Sequence, residues 1–347
     1  MRKIFDNALT IIGVVLMLFG VIVVVQNPPS PSQSTQLPSP TEMQSRSVAT
    51  PTILIAIAPS PTAAQIPPTA TPVPPSVTPT LRAGEERIID GVPMMYVPAG
   101  EFLMGSEQIS ASQPPHQVYL DAFWIDKYEV INNLYRKCVD AGRCSPPSKD
   151  ESLTYNPYYT NPRFGNYPVN HISWKDAVNF CSWANKRLPT EAEWEKAARG
   201  TDGRTYPWGN NFDESRFNPV NMPWEGGGGF FGTGNEKVVG PNYLRDLVAV
   251  GSHPNGASPY GVMDMAGNAW EWVADWYGRD YYSVSPRSNP KGSNAGKTRV
   301  VRGGVYRSFV INSGSNLVER SVEVYTFIRI DSDPDSSNFE MGMRCAK

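Results

Sequence analysis

The sequence is short of the residues from which most metal and redox sites are built, since its 347 residues include only three histidines and four cysteines. So few histidines leave little room for a multi-histidine metal site, and four cysteines allow three pairings if all are bridged. Charged residues make up 18% of the chain, and the formal net charge is −2. The net charge argues against a nucleic-acid-binding protein, which needs a basic face. The low fraction of charged residues argues against a coiled coil.

The longest uncharged apolar run lies near the N-terminus, at residues 8–25. As a helix it would be roughly 27 Å long, near the lower limit for crossing a bilayer. Arg2 and Lys3 precede it, and a positive flank tends to stay in the cytoplasm. We therefore expect residues 1–25 to be a membrane anchor with the rest of the chain outside the cytoplasm, at the cell surface or in the periplasm. The alternative is a cleaved signal peptide, but no small-residue cleavage site follows the run.

Residues 26–83 have the composition of a spacer, since 31 of these 58 residues are proline, serine or threonine. Such a segment cannot bury enough apolar surface to offset the entropy lost on ordering. Proline favours an extended, semi-rigid chain. The sequence therefore predicts a disordered stalk between the anchor and the remaining residues.

Residues 84–347 are long enough for one sizeable core, and their pattern predicts an α+β domain with sparse secondary structure. Alternating apolar residues at 93–97 and 102–104 indicate short strands. Three helices are predicted: one over 129–141, one that begins after Ser173, and one that opens at Thr190. The third has a capping box formed by Thr190 and Glu193 and ends at Gly200.

Several motifs in this region occur together in one known family. They are MYVPAGEFLMGS at 95–106, FWIDKYE at 123–129, RLPTEAEWE at 187–195, PWGN at 207–210, GNAWEW at 267–272, RGG at 302–304 and GMRC at 342–345. In content and order the set resembles the formylglycine-generating enzyme (sulfatase-modifying factor) family. The resemblance implies that family's variant of the C-type-lectin-like fold over residues 84–347.

The resemblance also locates a missing pair of residues. In the family's oxidases, two cysteines between the RGG turn and the last motif bind copper and convert a sulfatase cysteine to formylglycine. The corresponding interval here, 305–343, contains no cysteine. Ser308 or Asn316 stands nearest the first position, and Ser321 nearest the second. Because soft thiolates select copper(I) and hydroxyls do not, copper is not expected here.

The four cysteines that are present fit disulfide bonds. The resemblance implies a structural bridge between Cys181 and Cys345. Cys138 and Cys144 lie six apart across Gly142, which suggests a local bridge at the end of the first helix. Four buried thiols are the alternative, but an even number of cysteines in an extracytoplasmic protein favours disulfides.

Iron is not expected either. A second branch of the same family holds iron with three histidines on a separate helical region, and that region is absent here. His116, His171 and His253 are scattered and lie beside loop signals. A lone histidine in a loop is usually a surface residue or a local hydrogen-bonding group.

Calcium is the one metal that the resemblance implies. Asp264, Gly267, Ala269 and Glu271 match one family calcium site, in which two carboxylates and two backbone carbonyls supply oxygen ligands from one turn. The alternative is that Asp264 and Glu271 pair with arginine or cap backbone amides.

A second calcium site matches less well. It would use Asn218, the carbonyl of Pro219, Asn242 and the carbonyl of Leu244, across a glycine-rich gap. Either ion would be structural, since it would fix loops that lack secondary structure of their own.

Three functions fit these features. The first is a membrane-anchored, non-catalytic module that binds a protein or peptide ligand or acts as a scaffold. The second is a formylglycine-generating or related oxidase that uses other ligands, and the third is a structural component of the cell envelope. For the first function, the expected ligand groove would be lined by Arg302, Tyr306, Arg307, Ser308 and Ser321.

Overall fold

Two helices begin where the sequence places a capping residue. The computed structural model describes residues 81–218, 246–304 and 324–347, together with the backbone of 307–313 and 316–322. Helix α1 spans Asn132–Asp140, α2 spans Trp174–Trp183 and α3 spans Glu191–Arg199. Before α2, the hydroxyl of Ser173 accepts from the Asp176 N–H, and the Asp176 carboxylate accepts from the Ser173 N–H. Thr190 and Glu193 form the same reciprocal pair before α3, so both helix starts are confirmed.

The first helix begins three residues later than the sequence predicted. The carboxylate of Glu129 accepts hydrogen bonds from the Asn268 side chain and the Ala269 N–H, far along the chain. The Val130 N–H donates to the carbonyl of Met343 rather than within a helix. These tertiary hydrogen bonds hold 129–131 extended, so the helical pattern is realised only from Asn132.

The described residues contain eleven strands, and most of them are short. Five precede α1: β1 Glu86–Ile89, β2 Val92–Val97, β3 Gly100–Met104, β4 His116–Leu120 and β5 Phe123–Asp126. Six follow α3: β6 Trp270–Trp276, β7 Arg299–Arg302, β8 Arg307–Ser313, β9 Asn316–Val322, β10 Ile330–Ser332 and β11 Met341–Met343. Single-turn 3-10 helices lie at Ser110–Ser112, Pro162–Phe164, Glu214–Arg216, Pro254–Gly256 and Tyr281–Ser283.

The strands form small, separate sheets. Their orders are β1-β2-β5, β3-β4, β10-β7-β6-β11 and β8-β9. All pairs are antiparallel except β6 with β11. Few helices with small sheets confirm the predicted α+β class.

Helix α3 lies at the centre of this arrangement. All nine of its residues are buried, although five of them are charged. Trp194 packs with the side chains of β2 to β5, while Trp272 of β6 belongs to the second main apolar cluster, around α1 and α2. A helix that is buried on every side must satisfy its charges internally, and this requirement shapes the site described below.

Both predicted disulfides are present. Cys181 of α2 is bonded to Cys345 just after β11, and Cys138 of α1 is bonded to Cys144. The first bridge joins residues 164 apart in sequence and fastens α2 to the C-terminal strand. These pairings confirm the bridge that the resemblance implied, Cys181–Cys345, and the local bridge that the spacing suggested, Cys138–Cys144.

The described residues fall within one compact unit, residues 75–347. Among them, no helix is long and apolar enough to cross a membrane. The predicted anchor at 8–25 and the predicted stalk up to residue 80 lie outside the described residues.

Candidate functional site

The segment in which the oxidases carry their cysteines forms a hairpin here. Strands β8 and β9 pair along seven residues each, and Ser308 lies directly opposite Ser321. Asn316 instead pairs with Ser313 beside the turn. Directly opposite positions of an antiparallel pair share one face of the ribbon. The register therefore selects Ser308, and not Asn316, as the position that faces Ser321; Tyr306 lies outside the described residues.

Two glycines set the direction in which the chain leaves β7 toward this hairpin. Gly303 and Gly304 have φ angles of 102° and 70°, in the region that favours glycine. A Cβ atom on Gly303 would also lie 2.9 Å from the carbonyl oxygen of Ala269. The RGG motif is therefore a requirement of backbone geometry at the base of the hairpin.

Arg302, the residue before these glycines, does not line a groove, so the sequence prediction was wrong for it. Its side chain is fully buried and donates to Glu191 at 2.9 Å, to Glu195 at 2.8 Å and to the carbonyl of Thr326 at 2.7 Å. The cause is the acidic face of α3, which needs a cation between its two buried carboxylates. Arg302 therefore supports the base of the hairpin from inside the domain.

A second arginine completes this buried network. Arg329 donates to both carboxylate oxygens of Glu191, at 2.6 and 2.9 Å, and the Tyr282 hydroxyl donates to the same carboxylate. On the other side, Arg199 pairs with Glu195 at 2.9 Å. The network joins α3 to β7 and to the segment that enters β10.

The network also shifts the pKa values of its carboxyl groups. Burial raises the pKa of Glu191, but the charges of Arg329 and Arg302 outweigh burial and leave its pKa below the ordinary value. Asp275 accepts from the Glu191 N–H at 2.8 Å. Its pKa is raised to about 8, first by burial and then by the charge of Glu191. Asp275 is therefore mostly protonated at neutral pH, and Glu191 stays ionised.

Sequence reasoning did not find this network, although one signal was available. Glu191 and Glu195 are four residues apart, so they lie on the same face of α3. Two carboxylates so placed repel each other unless a cation lies between them. The spacing calls for an arginine or lysine from elsewhere in the chain, but only the tertiary structure identifies Arg302 and Arg329.

The first predicted calcium site is occupied in part by protein groups. Arg344 donates to both oxygens of Glu271, at 2.7 and 2.6 Å, and the Trp194 indole N–H donates to one of them at 2.8 Å. One oxygen of Asp264 accepts from the Gly251 N–H. Oxygen donors suit calcium, but Glu271 is committed to an ion pair in this arrangement. Calcium at Asp264, Gly267, Ala269 and Glu271 stays a prediction.

A third carboxylate lies beside this pair. Burial, followed by the charges of Asp264 and Glu271, raises the pKa of Glu129 well above its ordinary value, while Arg344 opposes the shift. Arg344 is thus the principal positive charge acting on three buried carboxyl groups. Its guanidinium also donates to the carbonyls of Asp126 and Met263, which fixes it in place.

The second predicted calcium site cannot be assembled from the described residues. Asn218 is buried and donates to the carbonyl of Asp246 and to the side chain of Asn268. Pro219, Asn242 and Leu244 lie outside the described residues. In the part of the chain that the structure describes, no group of three or more histidine, cysteine, aspartate or glutamate side chains could hold a metal ion.

The three histidines lie apart in three different environments. His116 is the first residue of strand β4, directly after the Pro114–Pro115 loop signal, and its ring packs edge-on against Tyr282. The Nδ1–H of His253 donates to the carbonyl oxygen of Ser215 at 3.0 Å. His171 differs from the expected surface residue, because it is only 5% exposed and neither ring nitrogen has a hydrogen-bond partner among the described residues.

We expect His171 to make stability depend on pH. Burial lowers its pKa, nearby Glu151 raises it and Lys149 lowers it, and the net pKa lies below the ordinary value. The unfolded chain therefore takes up a proton at higher pH than the folded chain. Stability should be fully present above about pH 6.5 and should fall as the pH drops through the folded pKa.

Urea unfolding at a series of pH values would test this expectation. His171→Gln should remove part of the stability loss between neutral and acidic pH. Identical profiles for the wild type and His171→Gln would contradict the role of His171.

Comparison with known proteins decides the family. The family described as "Sulfatase-modifying factor enzyme 1-like domain" matches residues 83–347. The chain belongs to the sulfatase-modifying factor family. It is 32% identical over 297 residues to the formylglycine-generating enzyme of Bos taurus, which covers 73% of this chain and 74% of that protein. It is 29% identical over 292 residues to a Mus musculus protein named inactive C-alpha-formylglycine-generating enzyme 2, with 73% and 85% covered.

The fold is shared with solved structures of the same type. PvdO from Pseudomonas aeruginosa matches with a TM-score of 0.54 at 21% identity, over 77% of this chain and 99% of that chain. At this identity the likeness supports the fold alone. Because sulfatase-modifying factor relatives include both a named enzyme and a named inactive protein, membership does not by itself decide whether this chain is catalytic.

Proposed function

We propose that this sulfatase-modifying factor domain is a non-catalytic binding or scaffold module held outside the cytoplasm. The observation that carries the proposal is the state of its thiols. The chain has four cysteines, and all four are bonded in disulfides. The hairpin positions nearest the two cysteines of the oxidases, Ser308 and Ser321, pair with each other and are both serines. A serine hydroxyl does not replace a thiolate as a ligand for copper(I), so no pair of groups at this place supports the oxidase chemistry.

The hairpin that replaces the redox segment is suited to binding an extended peptide. Within the described residues, β8 and β9 pair only with each other, so each strand has one backbone edge without a strand partner. An extended peptide can add to such an edge through main-chain hydrogen bonds. By the register, the positions of Phe309, Ile311 and Val318 share one face of the ribbon with those of Arg307 and Arg320. This combination supports a protein or peptide ligand.

The disulfides support the location. Structural disulfides persist in oxidising compartments and are rare in the cytosol. Both bridges are present here, and Cys138, Cys181 and Cys345 are fully buried. Together with the predicted anchor at residues 8–25, they support a head domain at the cell surface or in the periplasm.

Incubation of the full chain with copper and a Cys-x-Pro-x-Arg peptide tests the proposal. We expect the mass of the peptide to stay unchanged, because no free thiol is available to hold the metal. A mass loss that corresponds to conversion of the cysteine to an aldehyde would overturn the non-catalytic function.

A gain of copper binding provides the control. Ser308→Cys combined with Ser321→Cys should bind copper(I) more tightly than the wild type in competition with a chromogenic chelator, because the register places these positions opposite each other. Asn316→Cys combined with Ser321→Cys should not, because those positions are not paired. Equal binding by the two double variants would contradict the register on which the argument depends.

A further inference from the structure

A cleft of about 610 Å³ lies on a different part of the domain from the hairpin and shares no residue with it. Its apolar part is formed by Trp174 and Val178 of α2, Leu188 before α3 and Ala274 of β6. Exposed residues of the β4–β5 turn, Asp121 and Ala122, border one side. The volume is in the range of clefts that hold small ligands, roughly 300–1,000 Å³.

The indole of Trp174 is a rigid wall of this cleft. Its N–H donates to the carbonyl of Val273 at 2.9 Å, and the guanidinium carbon of Arg299 lies 3.6 Å from its ring centroid. Trp276 covers the other side of the same guanidinium at 3.4 Å. Because Trp174 lines the cleft while Arg299 and Trp276 do not, the indole separates the cleft from this stack.

This arrangement limits how Trp174 can recognise a ligand. Its N–H is already used, so the ring can offer only its aromatic surface. A ring that is held by a cation–π stack loses little further freedom when a ligand binds. The wall is therefore suited to a ligand with a flat apolar face and does not supply a hydrogen bond.

The polar border of the cleft carries two acidic and two basic side chains, Asp121, Glu193, Arg187 and Lys291, so its formal charges cancel. Arg187 pairs with Glu193 through two contacts of 2.6 Å. Asn289 donates to Asp121 at 2.9 Å and accepts from its N–H at the same distance. Lys291 offsets the formal charge of Asp121. Carboxylate, amide and guanidinium groups thus border the aromatic wall of Trp174, and the formal charges of the border sum to zero.

We infer that this cleft binds one pyranose ring of a neutral glycan. A pyranose has an apolar face of C–H groups, which packs on an aromatic ring, and a margin of hydroxyls, which exchange hydrogen bonds with carboxylate, amide and guanidinium groups. An anionic ligand would meet no surplus of positive charge. A purely apolar ligand would bury the polar border without hydrogen bonds, which costs free energy.

Saturation-transfer NMR on the full chain, in a detergent without a sugar headgroup, tests the inference. The probes are methyl β-D-glucopyranoside, methyl β-D-galactopyranoside and chitobiose, with an uncharged acetylated tetrapeptide of valine and proline for comparison. We expect transfer to the ring protons of at least one glycoside. Transfer to the peptide alone, or to none of the probes, would overturn the inference.

Two exposed alanines provide matched variants. Ala122→Tyr adds a ring at the border of the cleft and should weaken glycoside binding at least about tenfold. Ala295→Tyr adds the same ring at an exposed position that does not line the cleft, and it should leave binding unchanged. Trp174→Ala should abolish transfer. If Trp174→Ala does not fold, Ala122→Tyr still tests the cleft. Transfer that persists in Ala122→Tyr would place the sugar elsewhere.

Discussion

Replacing both cysteines of the Cys181–Cys345 bridge by alanine should lower the free energy of unfolding by about 5 kcal/mol. The chain-entropy model gives this figure because the bridge closes a loop between residues 164 apart in sequence. For a domain of this size, the loss corresponds to a decrease of roughly 10–20 °C in Tm. Scanning calorimetry of the oxidised wild type and the double variant measures it.

The Cys138–Cys144 bridge is the matched control. Its partners are only six residues apart, and the same model gives a loss of about 2 kcal/mol when both are replaced by alanine. Both double variants remove two sulfur atoms, so the difference between them isolates loop closure. Equal decreases in Tm would show that the long bridge does not act through the entropy of the unfolded chain.

The Arg344→Met variant should be destabilised by about 3–5 kcal/mol, the usual cost of leaving a buried charge without its partner. In the wild type, Arg344 donates to both oxygens of Glu271, and both side chains are fully shielded from solvent. Arg344 also opposes the raised pKa of Glu129. Without it, the pKa of Glu129 rises further above the unfolded value, so the destabilisation should grow as the pH increases above about 4.5.

An exposed pair in the same protein controls for loss of an arginine. Arg287 contacts Glu101 at 2.7 Å, but both side chains are at least half exposed. Arg287→Met should therefore change stability by less than about 1 kcal/mol. Urea unfolding of both variants gives the two free energies of unfolding to compare. A small loss of stability in Arg344→Met would mean that another cation neutralises Glu271, as the calcium prediction requires.

Local sequence was sufficient where the deciding contacts are local. Thr190 and Glu193 are three residues apart and satisfy each other's backbone groups, so the start of α3 could be predicted without the rest of the fold. The local bridge between Cys138 and Cys144 belongs to the same class. The bridge from Cys181 to Cys345 was predicted from family resemblance, because nothing in a separation of 164 residues specifies the partner.

Local sequence failed where a polar group found its partner far away. The sequence pattern places Glu129 in the first turn of a helix. In the structure, its carboxylate accepts hydrogen bonds from Asn268 and Ala269, and its segment is extended. Arg302 reads as a groove residue beside the RGG turn, yet it lies under the turn between two glutamates of α3. In both cases, the cost of burying an unpaired polar group overrode the local pattern.

By itself, the sequence determined the family, the α+β class, the starts of two helices and the absence of a cysteine from residues 305–343, because these depend on residue identity, short spacing and motif order. Only the tertiary structure decided that Ser308 faces Ser321, that Arg344 holds Glu271, and that Trp174 forms the wall of a cleft. Each of these depends on strand register or on contacts between distant segments, and the free energy that selects them comes from burying and pairing groups that the linear order does not bring together.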